Sequence, residues 1–227
     1  MSQLIPIFDI DDTLFCEHDY VRSGFDAVAK HISTLFPYLN KGKIYDDFIV
    51  EWELNGRGKI FNVVCQKYGI DMSINELVHV YRGHKPKIKL YEDAGKVLPF
   101  LKERNIPIGI ITDGDSIMQW RKIEALELNE LIDVIIVSND LGSDCWKPSY
   151  IPYQEVSKRL EVSLNDCVYI GDNPHKDFVT AKQLGMKTVR IIRPCGDHME
   201  TSLEKEYEAD RNISSLLELL QDFGDFK

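Results

Sequence analysis

Leu4-Ile5-Pro6-Ile7-Phe8-Asp9-Ile10-Asp11-Asp12-Thr13-Leu14 and Val168-Tyr169-Ile170-Gly171-Asp172-Asn173-Pro174-His175-Lys176-Asp177 share one plan, a short apolar run of strand length that ends in carboxylates. In α/β sheets the carboxyl ends of the strands are where sites form, so acid clustered there is placed for chemistry. Side chains alternate along a strand, so Asp9 and Asp11 are expected to share one side while Ile10 takes the other. Two carboxylates ~4 Å apart at an effective dielectric of ~20 repel by about 4 kcal/mol, or roughly 3 pKa units. An uncompensated pair would push one member toward its neutral form, so the cluster calls for a cation.

Outward from these two stretches, the chain has two textures. From Tyr91 onward helix and strand alternate: helix over Glu92 to Arg104, strand Ile106 to Ile111, helix Ser116 to Leu128, strand Val134 to Val137 and helix Ser149 to Leu160. They continue with strand Cys167 to Ile170, helix His175 to Leu184, strand Thr188 to Ile192 and a closing helix near Ser214 to Leu220. Near-continuous apolar strands separated by helices indicate a parallel sheet covered on both faces, a doubly wound, Rossmann-like α/β core. Residues 19–86 read instead as a run of helices broken at Pro37, Gly56/Gly58 and Gly69, with no strong strand among them. The expected organisation is a core of residues 1–18 and 87–227 with a helical domain, residues 19–86, inserted after the first strand. The polar, acidic stretch from Cys195 to Arg211 reads as a long loop.

At 227 residues the chain is long enough for a substantial core. Its formal charge of −10 and pI near 5.1 work against binding to nucleic acid or anionic membranes. The five cysteines, Cys16, Cys65, Cys145, Cys167 and Cys195, are odd in number and show no C-x-x-C spacing, so neither a disulfide framework nor a zinc site is indicated. The opening apolar run is too short for a signal sequence, and no segment approaches the ~18 consecutive apolar residues of a membrane span. A cytoplasmic protein is expected.

Two more motifs join the carboxylates. The strand at Ile106 to Ile111 runs into Thr112-Asp113-Gly114, where a hydroxyl and a permissive glycine offer a cradle the size of a phosphate. Lys147-Pro148 supplies a compact cation on a rigid turn just before a helix. Asp9-x-Asp11-x-Thr13, Thr112-Asp113-Gly114, Lys147-Pro148 and Gly171-Asp172-x-x-x-x-Asp177, in that order, resemble the four motifs of the haloacid dehalogenase superfamily. The helical insertion between the first and second motifs is similar to that of its capped phosphatases. The resemblance implies that Asp9 is a nucleophile that forms an aspartyl-phosphate and that Asp11 is the acid and base for the two halves of the reaction. Lys147 would join them in catalysis, and Thr112, Asp113 and Gly114 would bind the phosphoryl group.

It further implies magnesium, held by Asp9, Asp172 and a backbone carbonyl at Asp11, with Asp177 as a ligand or as the orienter of a bound water. Asp12 and Asp113 read as braces for loops, and His175 as a surface residue. In the inserted block, Asn55-Gly56-Arg57-Gly58-Lys59 makes Arg57 a candidate contact for an anionic substrate. Hinges are expected near Phe15 to Asp19 and Gly83 to Leu90. The implied activity is hydrolysis of a small phosphorylated metabolite such as a nucleotide, a sugar phosphate or phosphoglycolate. Alternatives are a phosphomutase; a haloacid dehalogenase, which has no use for Asp11, Asp172 and Asp177; and a non-catalytic interaction module, against which the filled motif positions speak. Oligomeric state is left open.

Overall fold

The computed structural model describes residues 4–223; the outermost residues of the expected core, 1–3 and 224–227, lie outside the described residues. The opening apolar run forms β1 (Ile5–Phe8), and every one of its residues is buried, as a strand covered on both faces requires. Five more strands follow: β2 (Gly109–Thr112), β3 (Val134–Val137), β4 (Cys167–Gly171), β5 (Lys187–Ile191) and β6 (Arg211–Ile213). They form one parallel sheet of order β3-β2-β1-β4-β5-β6. Ile7 stands opposite Gly109 on one side and Tyr169 on the other, so the strand order reverses direction around β1. The crevice at the carboxyl ends of β1, β2 and β4 is the place where such sheets bind ligands.

The core departs from the sequence expectation at two strands and two helices. The strand expected over Ile106 to Ile111 is shifted to Gly109–Thr112, because Pro107 has no N–H to give a ladder and the Ile108 amide is taken by the Asp133 carboxylate at 2.8 Å. β6 begins at Arg211, the last residue of the expected loop, where the sequence predicts no strand; its Arg-Asn-Ile sequence carries no apolar pattern, and it is pinned by Asp210, which accepts from the Thr188 amide and hydroxyl at 2.9 and 2.8 Å. The helix expected from His175 begins only at Val179, after a series of turns, and the closing helix is a 3-10 segment, Leu216–Asp222, capped by Ser215 and Glu218.

The chain divides into two compact units, His18–Lys87 and the remainder. The helical unit is built from α1 (Glu17–Leu35), α2 (Lys41–Asn55), α3 (Ile60–Tyr68) and α4 (Ile74–Gly83). Tyr20, Val21, Gly24, Phe25, Val28, Ala29 and Ile32 recur at three- and four-residue spacing and form the buried face of α1. Phe25, Phe48, Val64 and Leu77 meet in its core, where losing a side chain such as Phe48 would cost about 3–5 kcal/mol. The turn between α2 and α3 is made by Gly56 and Gly58 at φ of 69° and 137°, and Arg57 between them is exposed.

The sheet unit is completed by α5 (Ala94–Glu103), α6 (Ser116–Ala125), α7 (Ser138–Leu141), α8 (Ile151–Leu160) and α9 (Val179–Gln183). Its outgoing and returning segments run side by side, with Phe15 bridged to Leu90 and the Tyr91 amide donating to Leu14 at 2.9 Å. Among the described residues, no helix is long and apolar enough to cross a membrane.

Candidate active site

Asp9 is the first residue past β1, Asp172 the first past β4, and Thr112 the last of β2, so three neighbouring strands deliver them to one crevice. The backbone holds this register to the end, with the Asp9 amide donating to Ile170 at 2.8 Å. Asp9 is buried, 2% exposed, and its Oδ1 lies 3.1 Å from Lys147 Nζ. The same ammonium is 2.9 Å from Asp177 Oδ1 and donates to the Tyr169 hydroxyl at 2.7 Å. Burial works against the charge of Lys147, but Asp177 and Asp9 outweigh it and hold the ammonium well above the ordinary lysine range. Burial raises Asp9 to about 6, against the pull of Lys147 and with Asp177 adding to the rise.

Asp177 is fully buried and fixed at both oxygens, Oδ1 by Lys147 and Oδ2 by the Asn173 amide at 2.9 Å. Its position explains Gly171: a Cβ there would run into the Asp177 carboxylate, 2.8 Å from its carbon. Asp172, 4% exposed, is driven well above the usual carboxylate range by burial and then by Asp177 and Asp9. Asp9, Asp172 and Asp177 each offer a carboxylate oxygen within 4.8 Å of the others. Asp9 Oδ1 and Asp177 Oδ1 are buried without a hydrogen bond, although both are ion-paired with Lys147. A buried, all-oxygen set with more negative charge than its lysine neutralises fits a hard divalent cation, and magnesium is of that kind.

Asp11 does repel Asp9 and adds the last and smallest share to its raised pKa, but the pair is not left uncompensated. The regular strand ends at Phe8 and the chain turns after Ile10, with the Thr13 and Leu14 amides donating to Ile10 at 3.2 and 2.9 Å and Asp12 at φ 49°; Asp9 and Asp11 both line one cavity while Ile10 is fully buried. Each carboxylate has its own lysine. Lys122, on α6 and 1% exposed, lies 2.7 and 2.9 Å from the two oxygens of Asp11, and Gln119 Nε2 donates to Asp11 Oδ2 at 3.1 Å. Neither residue carried a motif signal; their three-residue spacing on the helix that follows Thr112-Asp113-Gly114 is the only hint.

The cradle motif also works differently from the expectation. Thr112 is fully buried and its hydroxyl accepts from Gln119 Nε2 at 2.5 Å. Gly114, at φ 134°, makes room for the Gln119 amide, which a Cβ would approach at 3.2 Å. Asp113 accepts from the Lys147 amide at 3.1 Å and lies 3.4 Å from Lys176 Nζ. Burial raises its pKa, yet Lys147 and Lys176 prevail and leave it below the usual carboxylate range. Asp12 accepts from the amides of Glu17 at 2.8 Å and Asp197 at 3.1 Å, tying two loops together, while burial raises its pKa to about 6 against those bonds. Arg57 belongs to the helical unit, exposed in its α2–α3 turn.

Asp9, Asp11, Asp113 and Asp172 line a cavity of about 140 Å³ together with Asp12, Glu17, Trp146, Asn173, Lys176 and His198. Lys176 is the lysine on its wall. Burial and Lys147 oppose the charge of Lys176, but Asp9 and Asp177 keep its pKa above the ordinary lysine value. Its place directly before Asp177 could have signalled it from the sequence. His198, whose basicity burial lowers, stacks edge-on to His175 at 5.9 Å between ring centroids.

Residues 6–191 match the family described as haloacid dehalogenase-like hydrolase. The chain is 29% identical to a glyceraldehyde 3-phosphate phosphatase from Methanocaldococcus jannaschii, with 94% of each chain aligned. Among solved structures it resembles a phosphatase of this superfamily from Thermococcus onnurineus, at a TM-score of 0.63 and 24% identity over 97% of this chain and 98% of the other. It also resembles a 2-haloacid dehalogenase from Pseudomonas syringae, at a TM-score of 0.66 and 18% identity over 97% of both chains. The likeness to the two solved structures is one of fold.

Proposed function

The chain belongs to the haloacid dehalogenase-like hydrolases, and we propose that it is a magnesium-dependent phosphomonoester hydrolase of small metabolites working through a phosphorylated Asp9. The observation that carries this reading is the grouping of buried Asp9, paired with Lys147, with Asp172 and Asp177 at one wall of a cavity that Asp11 also lines. Asp9 attacks phosphorus as the bond to the ester oxygen breaks, and Asp11 gives its proton to the departing alkoxide. In the second half Asp11 takes a proton from water, the water oxygen bonds to phosphorus, and the acyl-phosphate bond to Asp9 breaks to release phosphate.

Asp9, Asp172 and the backbone carbonyl of Asp11 would hold magnesium, with Asp177 as a further ligand or an orienting group. Bound there, the ion would supply neutralisation of the charge on the transferring phosphoryl oxygens. Lys147 holds Asp9 and Asp177 in place, and Lys176 offers the cavity a cation for the incoming dianion. Thr112, Asp113 and Gly114 shape the phosphoryl pocket mainly by anchoring Gln119 and Lys147. Arg57, with the rest of the 19–86 unit, is assigned to recognition of the part of the substrate beyond the phosphate. The name of the relative from Methanocaldococcus jannaschii favours a short phosphorylated aldehyde or sugar, with glyceraldehyde 3-phosphate the first to try.

The test is phosphate release from a panel of phosphorylated metabolites, with magnesium or with chelator, by the parent and by Asp9→Asn. Metal-dependent release that disappears in Asp9→Asn is expected. Release that survives either change would overturn the mechanism, and no release from any ester would overturn the substrate class.

A further inference from the structure

We propose that Lys122 is a positioning residue for proton transfer by Asp11, with Gln119 as its helper; this rests on the phosphatase reading above. A lysine side chain only 1% exposed is unusual in any fold and persists where a partner compensates its charge. Here the ammonium is 2.7 Å from Asp11 Oδ1 and 2.9 Å from Oδ2, and it stands 5.9 Å from the centroid of the Phe15 ring. Phe15 is itself fixed, bridged to Asp11 on one side and Leu90 on the other. Lys122 is therefore wedged between the carboxylate and the segment that carries it.

The lone-pair count assigns roles to the two oxygens. A carboxylate accepts at about four positions, two on each oxygen. Oδ2 receives both Lys122 and Gln119, whereas Oδ1 receives Lys122, so Oδ1 has the greater accepting capacity left for a group in the cavity that Asp11 lines. Proton exchange with the leaving alkoxide and then with water belongs at Oδ1. Without Lys122 the Asp11 side chain regains rotameric freedom and Oδ1 is no longer held where the ester oxygen arrives. Gln119 couples the same device to the end of β2, since its amide also donates to Thr112 Oγ1 at 2.5 Å.

Leaving groups separate this role from a merely structural one. An alkyl phosphate needs a proton on its departing oxygen, whereas 2,4-dinitrophenyl phosphate does not, and kcat/KM reports only the steps through departure of the leaving group. Lys122→Met is expected to lower kcat/KM for the alkyl ester by about 100-fold, the lower end of what a positioned general acid contributes, and for the dinitrophenyl ester by no more than about 5-fold. Lys122→Arg, which can still fork onto both oxygens, is expected to restore most of the alkyl-ester activity.

If Lys122→Met does not fold, Gln119→Leu reads the same ratio, with an expected alkyl-ester loss of about 10-fold. Equal losses on the two esters would overturn the inference while the parent's Asp9-dependent turnover left the phosphatase reading standing. A parent that hydrolyses neither ester would overturn both.

Discussion

Gly171→Ala tests how tightly the carboxylate cluster is packed. Gly171 ends β4 in an ordinary backbone conformation, so the substitution acts through space alone. The new Cβ would lie 2.8 Å from Asp177 Cγ, closer than real side chains approach, and a tight 3.2 Å from its Cβ. Asp177 has nowhere to yield, being fully buried, with Oδ1 2.9 Å from Lys147, Oδ2 bonded to the Asn173 amide and its carbonyl bonded to the Tyr153 hydroxyl at 3.0 Å. Displacing the carboxylate gives up a charge-assisted hydrogen bond worth about 1.5–3 kcal/mol, and overpacking adds about 1–3 kcal/mol. The expected loss is roughly 3–6 kcal/mol, which at about 2–4 °C per kcal/mol for a chain of this size lowers Tm by at least roughly 6 °C. Urea unfolding of parent and variant measures the loss, and a magnesium titration measures the accompanying drop in metal affinity. A loss below about 1 kcal/mol with unchanged metal affinity would show that the cluster is softer than its geometry implies.

Asp172→Asn removes a charge that burial, Asp177 and Asp9 all disfavour, so the metal-free variant is expected to be at least as stable as the parent. Magnesium at 100 times its Kd should stabilise the parent by about 2.7 kcal/mol and the variant by much less; equal stabilisation of the two would remove Asp172 from the metal site. A different carboxylate governs acid stability. Burial raises the pKa of Asp93, but Arg193 at 2.7 Å and the Leu216 and Ala94 amides prevail and leave it below the usual value. A lowered native pKa means stability that is present above the unfolded value of about 3.9 and lost as pH falls through the native one. Asp93→Asn should thus cost about 3–5 kcal/mol at pH 7, as breaking a buried pair does, and progressively less below about pH 4. Chemical unfolding at pH 7 and pH 3 compares them, and an equal difference at both would refute the linkage.

The sheet was legible wherever burial on both faces left a run of apolar residues, as in Ile5–Phe8 and Cys167–Ile170. It was illegible where side chains replaced that signal: β6 is an Arg-Asn-Ile segment held through Asp210, and the stretch before Gly109 is bonded through Asp133. In the site, the positions of Asp9, Asp172, Asp177 and Lys147 follow from strand ends and from the helix after Pro148, which local sequence marks well. Lys122 and Gln119 do not, because a lysine on an amphipathic helix reads as a solvated residue until the fold buries it. Asp9 and Asp11 do reach one cavity, as alternation suggests, although the regular strand ends at Phe8 and Asp12 turns the chain at a left-handed φ of 49°, which no pattern reveals.

The central place of β1 has a consequence for how the molecule is made. Ile7 finds Gly109 and Tyr169 on its two sides, so β1 must wait for roughly 100 residues to be added behind it before one edge is paired and roughly 160 before the other is, some 5–20 s and 8–30 s at ordinary elongation rates. The segment His18–Lys87, whose core is assembled from neighbours in sequence, is synthesised before either edge is paired. An apolar strand that must wait so long for its partners is a liability for aggregation. Asp9, Asp11 and Asp12, placed directly behind it, give the nascent strand a charged flank during the wait, so the same acids serve the chain before there is any sheet to present them.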